Sequence, residues 1–408
     1  MTSTRPLILI AFAVLVLPMA KAQTFEVIHS FTGGAGGANP WAGLTIDKQG
    51  NLYGTAINGG SSNLGLAFKL THEGPVWIFN PLYSFTGAPD GLDPEARLVF
   101  GPNGTLYGTT ASGGKAGRGA VYNLRPPGTA CKTVLCPWAE TVLYSFTGYA
   151  DGSEPGYGAL IFDQAGTLYG TTTKGGTNNG GVVYTLTPTG AGWIQRVIYN
   201  FDPYTSGIYP YSGVIFDGKG NLYGTASTAG GGSGTVYQLT PSGSDWVENT
   251  LFTFSSFTKP NDGAAPYGGL IFDESGNLYG STTEGGLGGG GTVFELTPVN
   301  GGWAFTVLYS FSGGYSPGPD DSLTMDAAGN LYGTTYQGGA NYSGVVFKLS
   351  PSGGSWTYTD LHDFCSFAHC GDGQFPQSGV VLDANGNLYG TAHARGIGDS
   401  GVVWEIAP

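Results

Sequence analysis

Residues able to do chemistry gather at two places in this chain. The first is a column of seven positions: Trp41, Glu95, Tyr157, Tyr211, Tyr267, Asp320 and Gln377. Each follows a recurring proline and stands three residues ahead of a short apolar run. Four aromatic rings and two acids around one rim can stack on sugar faces and bond their hydroxyls. Two residues later the column reads Gly43, Arg97, Ala159, Gly213, Gly269, Ser322 and Gly379. Arg97 alone is charged there, in the same repeat as Glu95. A packing reading competes with the ligand reading. In it the rings plug a channel, and Glu95 and Arg97 form a partly exposed ion pair.

The second place is near the C-terminus, where His369 and Asp372 lie on one loop and His393, Arg395 and Asp399 on the next. Two histidines and an aspartate can hold a metal or share a proton; a polar surface patch is the alternative. His29 and His362 occupy a position that is Tyr in other repeats, which reads as packing, and His72 falls in a turn. No G-x-S-x-G, H-E-x-x-H, P-loop or dinucleotide fingerprint occurs. No cofactor is expected, although a channel of this kind has room for calcium or another divalent ion.

These residues must be positioned by a repeat. The phrase GNLYGTT at 329–335 has six near-copies, with tyrosines at 53, 107, 169, 223, 279, 332 and 389. Successive gaps are 54, 62, 54, 56, 53 and 57 residues. A chemical site is needed once, whereas a packing unit is needed in every repeat, so the phrase reads as scaffold. Within 319–364, four short β-rich runs (SLTM, NLYGTT, GVVFKL and a stretch ending DLHDF) alternate with Gly-, Asp- and Pro-rich connections. They predict four antiparallel strands, A to D.

Runs such as LIFD at 160–163 are apolar on both faces, which stacked blades around an axis would bury. Leu and Tyr of the phrase should enter opposite blade interfaces, and the next Gly should permit close backbone approach. Asp-x-x-Gly at the A–B turn reads as a self-capped turn; one carboxylate per turn is too few for calcium. Trp77, Trp138, Trp193, Trp246, Trp303 and Trp356 each open a D-strand section and read as packing.

The chain ends predict closure. TFEVIHSF at 24–31 matches the D strands, while the last repeat supplies A, B and C only. Pairing the two completes a seventh blade. The expected fold is an all-β, seven-bladed propeller over 23–408. With strand A innermost, the D–A and B–C loops emerge together on one face. They vary between repeats, and variable loops on a repeated scaffold are the default place for binding.

Bulk properties agree. The chain has 408 residues, 74 of them Gly, with 13% aromatic and 11% charged residues. Its net charge of −13 argues against nucleic acid and anionic lipid surfaces. Residues 1–22 carry Arg5, an apolar stretch and Ala20-Lys21-Ala22, the pattern of a secretory signal peptide. No later segment is expected to span a membrane. For an exported chain, Cys131 with Cys136 and Cys365 with Cys370 are expected to close two local disulfides; zinc is the alternative.

The unit LIFDxxGNLYGTTxxGGxxxxGVVFxLTP, then Trp, then VLYSF, closely resembles the GloVer (Gloeo/Verruco) tandem repeat of exported bacterial proteins. The resemblance extends over the whole expected mature chain. It implies repeat architecture and export, and carries over no catalytic residues. Members often end in a sorting anchor; none is visible here, which favours release or periplasmic retention. The resulting expectation is a monomeric, non-catalytic binding module for a glycan or an envelope protein. A metal-assisted hydrolase, lactonase or lyase is the alternative, and a structural envelope component is a third reading.

Overall fold

The structure is a computed structural model that describes residues 23–128, 138–228, 232–255, 261–312 and 318–408. The expected signal peptide and the Cys131–Cys136 pair lie outside the described residues. Among the described residues are seven four-stranded antiparallel sheets, each a meander. Blade 1 runs A Thr45–Ile46, B Leu52–Ala56, C Leu66–Glu73 and D Val76–Ser84. Blades 2 to 6 repeat that order, beginning at Val99, Ile161, Ile215, Ile271 and Thr324. Blade 7 takes Val381–Leu382, Leu388–Ala392 and Val402–Ala407 from the C-terminus, and Thr24–Ser30 as its strand D. Thr24 pairs with Ala407 and Ser30 with Val402, so the ring closes as the chain ends predict.

The repeated phrase is the joint between blades. Leu222 packs with Val183 and Phe201 of blade 3, whereas its neighbour Tyr223 packs with Leu270 and Leu278 of blade 5. Period-two side-chain alternation sends the two residues into different interfaces. The same division holds in blade 1, where Leu52 joins blade 7 and Tyr53 joins blade 2. Six of the seven tyrosine rings also meet the tryptophan that opens the strand-D section of the following blade, Tyr53 and Trp138 at 6.3 Å and Tyr223 and Trp303 at 6.1 Å; for Tyr332 the following strand D, Thr24–Ser30, has none. The tryptophans are therefore packing residues.

The phrase's glycine has a different purpose from the expected backbone approach. It pairs across the sheet with an aromatic residue of strand C, as Gly224 does with Tyr237 and Gly390 with Trp404. A Cβ on Gly224 would fall 2.4 Å from the Tyr237 hydroxyl, and one on Gly390 2.3 Å from the Trp404 ring. The bare glycine lets that ring lie flat over the strand and fill the interface.

The A–B turn is self-capped. Asp217 Oδ1 accepts the amides of Lys219 and Asn221 at 2.8 and 2.9 Å, and Oδ2 accepts Asn221 Nδ2 at 2.7 Å and the Tyr223 hydroxyl at 3.2 Å. Burial alone would raise the Asp217 pKa; bonds from Asn221, Lys219 and Tyr223 outweigh it and hold the carboxyl below its ordinary value. Gly220 supplies the left-handed residue at φ 89°.

Candidate functional site

Four interactions bring the expected column to the channel mouth. First, D–A and B–C loops of one blade pair with each other, as Ala38 with Asn58, Ile208 with Thr228 and Gln374 with Ala394. Both loop sets therefore share one face, as their connectivity predicts. Second, the recurring proline seats on a glycine of the preceding blade: a Cβ at Gly401 would meet Pro40 Cδ at 2.4 Å, and one at Gly119 would meet Pro155 Cδ at 2.4 Å. Third, the residue before six of the seven prolines is left-handed although it is not glycine: Asn39, Asp93, Glu154, Tyr209, Ala265 and Phe375. That conformation is strained, and bonds on both sides hold it: the Tyr209 amide donates to Gly180 O of blade 3, and its carbonyl accepts from Ser227 of its own blade.

The fourth interaction comes from the phrase itself. Its hydroxyl residue crosses to the next blade and donates to the carbonyl directly after the column. Thr171 reaches Ser212 O at 2.8 Å, Thr225 reaches Gly268 O at 3.1 Å, and Thr334 reaches Ser378 O at 2.7 Å. Thr391 closes the series on Ala42 O at 3.3 Å. With Ser281 on Asp321 O, the motif holds the rim by its backbone in five repeats, whatever the side chain there; the Thr55 and Thr109 hydroxyls, which face the Glu95 and Tyr157 loops, make no such bond.

All seven column residues line one cavity of about 400 Å³. On one side the tyrosines stand edge to face: Tyr157 and Tyr211 are 5.1 Å apart at 67°, and Tyr211 and Tyr267 are 4.8 Å apart at 71°. The rings border the space rather than fill it. Trp41 of blade 1 leans on His393 at 5.2 Å. The acids stand elsewhere on the wall, Glu95 on blade 2 and Asp320 on blade 6, with Gln377 beside them on blade 7.

Burial dominates the electrostatics. It pushes the Glu95 carboxyl up to about 7, helped by Asp93 and Glu154 nearby and opposed by a hydrogen bond from Tyr157. It pushes Asp320 up to about 7 as well, with Gln377 opposing and Asp321 adding to the shift. One oxygen of Glu95 and the Gln377 amide oxygen are buried with no protein partner. Each carboxyl is therefore divided between acid and carboxylate near neutrality.

Arg97 does not pair with Glu95, so the expected ion pair is corrected. Its side chain runs deeper, where Nε contacts Thr45 Oγ1 at 3.5 Å, and the charge facing it is Asp321. A Cβ on Gly43 would meet Arg97 Cδ at 3.6 Å and Asp321 Oδ2 at 3.7 Å, so both reach the channel floor beside blade 1. Burial lowers the Arg97 pKa while Asp321 supports its charge. Asp321 was missed in the sequence because it stands between the two columns. It is held by amides, Ser322 N to Oδ1 at 2.6 Å and Gly379 N to Oδ2 at 2.7 Å. The sign of its importance was a charged residue where the other repeats have Ala, Gly or Ser.

The second place separates into unrelated parts. Asp372 is fully buried and accepts from His362 Nε2 at 2.9 Å and from Ser366. His362 lies flat on Phe25 at 3.5 Å and His29 on Phe79 at 4.2 Å, in the Tyr position as expected. His369 is exposed on the loop closed by the Cys365–Cys370 disulfide. His393 Nδ1 contacts Phe375 O at 2.9 Å, and Arg395 pairs with Asp399 at 3.1 Å. His369, Asp372 and His393 thus form no metal-binding group. Among the described residues no cluster of three His, Cys, Asp or Glu side chains is spaced to hold an ion. No described helix is long and apolar enough to cross a membrane.

A closed seven-bladed propeller with a polar and aromatic cavity at its channel mouth is the class of protein this structure defines. The chain belongs to the Gloeobacter/Verrucomicrobia repeat family, which matches residues 15–232, 135–314 and 220–408. No curated protein matches it in sequence. Among solved structures, a provisionally assigned 6-phosphogluconolactonase from Bacteroides uniformis aligns at TM-score 0.50 and 16% identity, over 78% of this chain and 83% of that one. A provisionally assigned gluconolactonase aligns at TM-score 0.44 and 12% identity, over 95% and 93%. A Thermus thermophilus protein provisionally assigned as a glucose dehydrogenase aligns at 0.41 and 17%, over 94% and 100%. At such identities the likeness concerns the fold.

Proposed function

We propose that this chain is an exported propeller that binds a carbohydrate in the cavity at its channel mouth. The observation carrying this reading is the cavity's composition. Three edge-to-face tyrosines on blades 3 to 5 offer apolar ring surface, while Glu95, Asp320 and Gln377 on blades 2, 6 and 7 offer hydrogen bonds. A sugar has the same two characters, apolar C–H faces and a hydroxyl rim. The volume of about 400 Å³ lies in the range of small-ligand sites. Export is supported by the pattern of residues 1–22 and by the Cys365–Cys370 disulfide. Tryptophan fluorescence titration, reading Trp41, together with a glycan array tests the reading. Binding that Tyr211→Ala weakens about tenfold or more supports it, by analogy with truncated aromatic anchors. Absence of binding to any glycan counts against it.

One observation favours an enzyme instead. Glu95 and Asp320 are both poised near 7, the range suited to general acid and base work. Under that reading the pair exchanges protons with a sugar lactone or ester. Turnover of such substrates that is lost in both Glu95→Gln and Asp320→Asn promotes it over plain binding; turnover stopped by a chelator implicates an ion.

A further inference from the structure

Arg97 is the feature of the cavity that packing does not explain. Among the described residues it is the only cation lining the space, and the other repeats put Gly, Ala or Ser at its position. A buried guanidinium is costly unless its donors are met. Among the described residues its one protein hydrogen bond is the long one from Nε to Thr45 Oγ1, at 3.5 Å, and no carboxylate of those residues lies within ion-pair distance. Asp321 faces it, yet both Asp321 oxygens are already committed to backbone amides at 2.6 and 2.7 Å. The planar fork at the other end of the side chain is left to face the cavity.

We propose that the ligand is a sugar acid, whose carboxylate docks on the Arg97 guanidinium at the channel floor while its ring or polyol chain contacts the tyrosine wall. This rests on the carbohydrate reading above and narrows it. A guanidinium presents two parallel N–H groups that match a carboxylate's two oxygens. Asp321 gives Arg97 a fixed electrostatic neighbour without occupying its fork. Glu95 and Asp320 line the same cavity, and burial pushes each up to about 7, so below neutrality they are mostly neutral, donate to hydroxyls and do not repel an anion as two full charges. Ring-closed uronates and open-chain aldonates share this chemistry, and the experiment separates them.

The experiment is isothermal titration of the purified chain at pH 6 with D-glucuronate, D-gluconate and D-glucose. A charge-assisted bidentate contact is worth about 1.5–3 kcal/mol, or roughly tenfold to a hundredfold in affinity. At least one acid should bind about tenfold tighter than glucose, and whichever does so names the ring-closed or open-chain form. In Arg97→Met that acid should fall to the affinity of glucose. Should Arg97→Met melt early, Arg97→Lys, which keeps the charge but loses the fork, should lose most of the preference. Asp321→Asn should raise the ratio of acid to glucose affinity. Glucose binding as tightly as both acids, a preference that survives in Arg97→Met or Arg97→Lys, or an unchanged ratio in Asp321→Asn would each overturn the proposal. Neutral glycans that bind while both acids do not would sink this inference alone; no carbohydrate binding of any kind would sink the parent reading with it.

Discussion

Replacing Tyr223 with Ala tests the interface that all the rest depends on. The ring is 4% exposed, lies 5.1 Å from Phe272 and 6.1 Å from Trp303, and belongs to the blade 4–5 core. Truncation of a large buried aromatic costs roughly 3–5 kcal/mol, because the lost contacts leave a cavity. Part of that belongs to the hydroxyl, which donates to Asp217 at 3.2 Å and accepts from Gln238 at 2.6 Å. Tyr223→Phe isolates this part. Asp217 keeps three other donors and Gln238 is only half-buried, so the phenylalanine variant should lose about 0.5–1.5 kcal/mol. Urea unfolding followed by tryptophan fluorescence reads both as midpoint shifts at unchanged slope. Tyr204→Ala is the control; that ring is 87% exposed, and surface changes stay within about 0.5 kcal/mol. A loss below about 1 kcal/mol for Tyr223→Ala would refute the interface. Equal losses for Ala and Phe would move the stabilisation from the ring to the capped turn.

Ring closure and the buried acids make two further predictions. Deleting residues 1–31 strips strand D from the edge Val402–Ala407, whose Val402, Val403 and Trp404 are fully buried; an uncovered strand of this kind recruits another chain, so light scattering should find dimers or aggregates, and a stable monomer with an unchanged melt would refute closure. Glu95 and Asp320 hold protons up to about pH 7 in the folded chain, whereas unfolded carboxyls release them near about 4. The folded state therefore binds more protons between those values, and stability falls as pH rises through that window and levels above it. The melting temperature should be higher at pH 5 than at pH 8. The double variant Glu95→Gln, Asp320→Asn should narrow that difference, with Glu140, which burial also pushes up to about 7, supplying the remainder; an unchanged profile would place the titration elsewhere.

The architecture was legible because each of its parts is written seven times. A phrase with Leu and Tyr on adjacent positions already implies two faces and two interfaces, and an orphan D strand before an incomplete final repeat implies closure. What stayed hidden were contacts between strands and between repeats. Nothing local in NLYGTT says that Gly224 lies beneath Tyr237, or that Thr225 reaches the blade 5 loop. The rim column was visible because it stands three residues ahead of each repeat's apolar run. Asp321 was not, since its relevance comes from facing Arg97 across the channel, a relation between blades 2 and 6 that no single repeat contains. His369, Asp372 and His393 misled for the complementary reason. They are neighbours in loops, but Asp372 is taken by His362 in strand D of the preceding blade, and the disulfide loop carries His369 outward.

Stability and chemistry are assigned to different positions of the same repeat, and that division is the strongest physical reason to regard the cavity as a binding site. The rim is held by backbone: by a proline seated on a glycine, a clamped left-handed residue and a threonine bonded to a carbonyl. Side chains at the mouth contribute little to those joints. Blades 3 to 5 build the same wall with Tyr followed by Ala or Gly two residues on. If packing were the sole demand, blades 2 and 6 could do likewise. Instead they bring Glu95, Arg97, Asp320 and Asp321 into partly buried positions, where desolvating charged groups costs free energy. The protein around them offsets that cost only in part, because one Glu95 oxygen is unpartnered and Arg97 makes one long hydrogen bond. Asp321 also ties blade 7 to blade 6 through Gly379 N, but Glu95, Arg97 and Asp320 carry a desolvation cost that blades 3 to 5 avoid, and that cost supports the binding reading proposed above.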